Sequence, residues 1–178
     1  YGITAPEYDY NDYQNIDVRG KIVVYLSGEP FSEDDSYFDG ARATIYSNAE
    51  AKERLALAQG ARGSILIPNP YEQAVCEVHM QHFAFEDVRL AYSATRNVGV
   101  MMNPMAAGAL FANAPFSLDE IFKMQREHTI QSFPLNALMS IKADTKNRDF
   151  LSRNIIGSIR GSNPNCLLYT SPSPRDPH

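Results

Sequence analysis

Cysteine, positive charge and long apolar runs are all scarce in this chain, and each shortage closes off a class of explanation. Two cysteines in 178 residues, Cys76 and Cys166, cannot make a disulfide framework, and the count leaves the redox compartment unread. Lys and Arg number 16 against 21 Asp and Glu, for a net charge of −5 and an isoelectric point near 5.3. That balance argues against a nucleic-acid surface, because phosphate binding needs a clustered basic face. No apolar stretch approaches the roughly 20 residues a helix needs to cross a bilayer. Catalytic signatures are missing too. There is no H-E-x-x-H, no G-x-S-x-G elbow and no G-x-x-x-x-G-K-[ST] loop.

What remains suits a globular mixed α/β domain with a fragment of a second. A chain of this length buries roughly 70% of the surface that its unfolded form exposes, so it needs no covalent staples. The acidic residues gather early, from Glu7 to Asp39, and read as a solvated face. The chain opens on Tyr1-Gly2-Ile3 with neither Met nor signal peptide, as an excised piece would. The lack of a targeting segment therefore says nothing about a parent protein.

Hydrophobic periodicity supplies the elements. Tyr1–Tyr13 suits an entry strand and a surface loop, and Lys21–Ser27 is the best strand, β-branched and expected to be buried on both faces. Residues 31–46 read as a polar, Asp-rich loop. Ser47 and Glu50 have capping-box spacing for a helix over 48–59 that places Ala51, Leu55 and Ala58 on its apolar stripe. Gly60 ends that helix, and Gly63–Ile67 is a second buried strand, so the order is that of a strand–helix–strand crossover. Val98–Met102 is a third strand, and Asn103 with Pro104 opens a short helix. Ser117 and Glu120 form a second capping box. Alternation from Phe133 to Ala143 predicts a long strand with one wetter face, and a final strand follows over Asn154–Ile159.

Ligand-type residues cluster once, in Glu77-Val78-His79-Met80-Gln81-His82. Spaced i, i+3, His79 and His82 are only weak candidates for metal ligands, and with no general-base Glu between them the favoured reading is packing or solvent histidines in a loop, so no metal site is assigned. Cys76 lies three residues from His79, but catalytic Cys–His pairs are assembled from distant segments. Glu33-Asp34-Asp35 lacks the alternating oxygens and glycine bend of a calcium loop. His128 stands alone. No residue qualifies as catalytic.

Several segments together carry a resemblance. They are Tyr1-Gly2-Ile3, Asp12-Tyr13 and Val18-Arg19-Gly20-Lys21-Ile22-Val23, then Gly60-Ala61-Arg62-Gly63 before Ser64–Ile67, then the exit Asn154-Ile155-Ile156-Gly157. In this order they resemble the protease-associated (PA) domain inserted in zinc metallopeptidases of the aminopeptidase and glutamate-carboxypeptidase-like (M-twenty-eight) family. The resemblance covers residues 1–165 and implies a bent sheet or open barrel with flanking helices over 1–150. Residues 151–165 would be the first strand of a truncated peptidase domain. It further implies a non-catalytic module of a secreted, periplasmic or cell-surface peptidase, shaping access of peptide substrates or protein contacts. The two zinc ions belong to the missing domain, which would be the module's main partner. An alternative within the resemblance is a non-enzymatic, transferrin-receptor-like ectodomain. From Cys166 onward the chain turns Ser/Pro-rich and aperiodic, like translated adapter sequence, and is expected to be a disordered, non-native tail.

Overall fold

The computed structural model describes residues 1–70, 98–142, 148–153 and 155–157. The chain divides into two units, Tyr1–Lys142 and Ala143–His178. The first is mixed α/β, with two small sheets and a few helices.

Its N-terminal segment is a miniature hairpin rather than an entry strand. Strand β1 (Thr4–Ala5) pairs antiparallel with β2 (Tyr10–Asn11), and a 3₁₀ turn over Pro6–Tyr8 joins them. Proline at the first position of that turn sets φ and needs no donor.

Strands β3 (Ile22–Leu26), β4 (Gly63–Ile67) and β5 (Val98–Met101) form a parallel sheet in that order. Ile22 lies opposite Gly63 and Leu26 opposite Ile67, while Gly63 to Leu66 face Val98 to Met101. The central strand β4 is buried along its whole length. Both faces of β3 are covered, as the sequence requires, but Ile22, Val23 and Val24 are only half-buried. Among the described residues β3 is an edge strand, and that accounts for the difference.

Helix α1 (Ala49–Ala58) covers one face of the sheet. Val23 packs towards Val18, Ala56 and Ala61, and the Tyr25 hydroxyl donates to the Ala49 carbonyl at 3.2 Å. The opposite face, with Ile22, Val24, Leu26, Ile65 and Ile67, meets Ala107 of helix α2 (Pro104–Ala107), Phe111 of the 3₁₀ turn Gly108–Phe111 that follows it, and Leu118, Ile121 and Phe122 of helix α3 (Leu118–Arg126). This is the period-2 division of a strand between two apolar layers.

Capping follows local chemistry with one correction. The Ser117–Glu120 capping box opens α3, and Asn103 caps α2 ahead of Pro104. Helix α1 is capped by Asn48 instead of Ser47, with its Oδ1 accepting from the Glu50 and Ala51 amides at 2.8 and 3.1 Å. Ser47 ends a 3₁₀ turn, and its hydroxyl donates to the Thr44 carbonyl. The buried stripe of α1 holds Lys52 and Ala56 rather than the expected Ala51, Leu55 and Ala58, of which Ala58 is exposed.

Gly60 adopts φ +90° directly after α1, and its carbonyl accepts from the Gly20 amide at 2.8 Å. Gly63 has a different task. A Cβ there would sit 2.3 Å from the Val98 carbonyl oxygen, so a side chain would part β4 from β5. Gly63→Ala is expected to cost about 2–3 kcal/mol by overpacking, read as a lower urea midpoint with unchanged slope. A loss below about 0.5 kcal/mol would show that the strand gap is not set by this glycine.

Of the strand expected over 133–143, none forms over the described residues 133–142. Phe133 and Leu135 are half-buried against the core, with Phe133 edge-on to Phe116 at 5.5 Å, whereas Leu138 is fully exposed. Alternation fixes only which way side chains face, and a strand also needs a partner backbone. Pro134 brings no N–H, Asn136 turns left-handed at φ +50°, and no strand pairs with this segment among the described residues. In the second unit Phe150, Leu151, Ile155 and Ile156 are all exposed, and residues 155–157 carry no strand. The tail from Cys166 lies outside the described residues.

Candidate functional site

A cleft of about 460 Å³ opens in the first unit where the hairpin, the loop after β3 and the end of α3 meet. Its lining is mainly aromatic: Tyr1, Tyr10, Phe31, Tyr37 and His128, with Pro30, Ser32, Glu33 and Ile130 completing the wall.

Each wall has a local cause. The loop after β3 is closed at its base by Glu29, whose carboxylate accepts from the Thr44 amide at 2.6 Å and from the Thr44 hydroxyl. Joining its ends this way makes it an Ω-type loop. Inside it, Phe38, Asp39 and Gly40 all have positive φ, at 49°, 53° and 62°. A bulky residue in that region is strained. Burial of the Phe38 ring offsets the strain. That ring is 0% exposed, stacked on Tyr8 at 4.4 Å and edge-on to Tyr10, Tyr37 and Tyr46 at 4.9–5.8 Å. A second tie joins hairpin to loop, where the Tyr46 hydroxyl donates to Glu7 at 2.6 Å. That bond pushes the Tyr46 phenol up to about 12 and draws the Glu7 carboxyl below its usual range.

Asp12 organises the floor. Its Oδ1 accepts from the Tyr10 hydroxyl at 2.9 Å, and its Oδ2 lies 3.0 Å from the Ile3 amide and 3.1 Å from the Tyr1 backbone nitrogen. Burial first, then the Asp12 charge, raises the phenols of Tyr10 and Tyr37, and burial raises that of Tyr1. All three remain neutral hydroxyls at physiological pH. Behind Tyr1, Lys52 is 2% exposed and donates to the carbonyls of Leu26, at 3.0 Å, and Gly28. Its Nζ lies 5.6 Å from the Tyr1 ring centre and 5.8 Å from that of Tyr25.

His128 reaches the cleft because of how α3 ends. It adopts φ +57°, with its amide on the Gln125 carbonyl and the Thr129 amide on the Met124 carbonyl. This is a Schellman ending with histidine in the usual glycine position. The ring then lies over Phe31 at 6.5 Å, nearly parallel.

The Ser32 hydroxyl accepts from the Asp34 amide and, among the described residues, has no hydrogen bond to His128. Asp34 in turn accepts from the Ser36 amide at 2.9 Å, so the acidic run closes loop turns. No group of three or more His, Cys, Asp or Glu suited to a metal occurs among the described residues. His79, His82 and Cys76 lie outside them. The cleft itself was missed at the sequence level, where residues 31–46 read as merely polar. The signal was the aromatic density of Tyr8, Tyr10, Phe31, Tyr37, Phe38 and Tyr46 on either side of β3. No helix among the described residues is long and apolar enough to cross a membrane.

Comparison with protein-family models, with curated proteins and with solved structures found no match.

Proposed function

We propose that this chain is a protease-associated module, without catalytic residues of its own, of an exported zinc-dependent peptidase of the aminopeptidase and glutamate-carboxypeptidase-like family. Its role is to shape substrate access or protein contacts beside a catalytic domain that holds the two zinc ions. One observation carries the reading. Two of the stretches that carry the resemblance, Val18–Val23 and Gly60–Ile67, meet in a single parallel strand–helix–strand unit. The Gly20 amide bonds the Gly60 carbonyl and the Arg62 amide bonds the Lys21 carbonyl, both at 2.8 Å. The glycine phrases of the resemblance therefore act as the hinge between helix and strand, with no phosphate to cradle. Exposure of Leu151, Ile155 and Ile156 adds support, since an apolar exit segment of this kind calls for a packing partner in the next domain.

Purified chain incubated with zinc and aminoacyl or peptide substrates is expected to show no hydrolysis. Metal-dependent turnover that tracks the chain through purification would overturn the assignment. Sequencing the native transcript past Asn165 tests the parent: a His-x-Asp strand within a few dozen residues supports a peptidase, and its absence removes the enzymatic part.

A further inference from the structure

The aromatic cleft has a charge pattern that selects a class of ligand, independently of any peptidase context. Aromatic faces attract cations through their quadrupole, most strongly where water is partly excluded. Here Tyr1, Tyr10, Tyr37 and Phe31 supply ring surface, and their hydroxyls, where present, stay neutral. Glu33 stands in the wall and the Asp12 carboxylate lies directly behind Tyr10. Asp12 is occupied by the Tyr10 hydroxyl, the Ile3 amide and the Tyr1 nitrogen, and Lys52 is committed to the Leu26 and Gly28 carbonyls behind Tyr1, so Glu33 is the carboxylate that the wall presents to a ligand. Among the described residues no Lys or Arg lines the cleft. An anion would meet Glu33, and a neutral apolar ligand would leave the Glu33 charge without complement. We propose that the cleft binds an alkylammonium head group, carried by a small amine or by a lysine side chain, methylated or not.

The test is a titration of the full chain with choline, followed by two-dimensional NMR, beside the neutral isostere in which carbon replaces the ammonium nitrogen. Choline is expected to bind in the millimolar range with shifts confined to Phe31, Glu33, Tyr37 and His128, and the isostere at least about threefold more weakly. Phe31→Leu should weaken choline about threefold by removing one exposed ring, and Glu33→Gln about twofold with a flatter salt dependence. Both side chains are exposed, so the fold is retained, and an unchanged spectrum away from the cleft checks this. A trimethyl-lysine dipeptide run in parallel identifies the source. Binding tighter than choline indicates a peptide side chain and equal binding indicates a free amine, and both uphold the site. Equal affinity for the isostere, shifts elsewhere on the surface, or no binding would overturn it.

Discussion

Replacing Phe38 with alanine is expected to destabilise the first unit by about 4 kcal/mol, and to lower Tm by roughly 10 °C, the usual scale for losing a buried phenyl ring from a chain of this size. The side chain is fully buried and touches four tyrosines, so its removal leaves a cavity that neighbouring rings cannot close without losing their own partners. Alanine also inherits the left-handed backbone at φ +49° without the ring contacts that offset it. Phe38→Leu keeps part of the volume and should lose about half as much. Since Tyr10 and Tyr37 pack on Phe38 and line the cleft, choline binding should fall together with stability. A loss below about 1 kcal/mol in chemical denaturation would mean that this ring is not the keystone of the loop.

Lys52 should show the second large effect, and here two substitutions separate two causes. The side chain runs from α1 to the end of β3, where it bonds the Leu26 and Gly28 carbonyls at the start of the cleft loop. Lys52→Ala removes the buried stem and both donors, for an expected loss of about 3–4 kcal/mol. Lys52→Met keeps the stem and takes no charge out of water, so the unmet carbonyls cost about 1–2 kcal/mol net. Calorimetry of both variants decides between packing and polar terms. If methionine matched or exceeded lysine, clamping of β3 would not be why a charge is buried there.

The legible parts of the fold were those that short-range chemistry dictates. Ile22–Leu26 and Gly63–Ile67 announce buried strands by their β-branched runs, and Asn103, Ser117 and Gly60 mark helix ends through donors and backbone freedom within four residues. The failures occurred where two local choices were nearly equal. Ser47 and Asn48 are both good caps, and a preceding 3₁₀ turn that uses the Ser47 hydroxyl decides for Asn48. The buried stripe is likewise offset by one position, about 100° around the helix, with Lys52 held inside by the Leu26 and Gly28 carbonyls. The alternation of Phe133–Ala143 was real for Phe133 and Leu135, which do face the core, but no partner strand meets it among the described residues.

Sequence alone determined the strand–helix–strand order, the Asn103 and Ser117 caps and the Gly60 ending of α1, because each depends on residues close by in the chain, whereas the choice of Asn48 over Ser47 did not. Tertiary structure alone decided that rings far apart in the chain, Tyr1 and Tyr10, Phe31 and Tyr37, and His128, share one wall over a buried carboxylate. Those contacts span up to the whole first unit. They are fixed by how the hairpin, the Glu29–Thr44 loop and the end of α3 close on one another, and no local pattern carries that information.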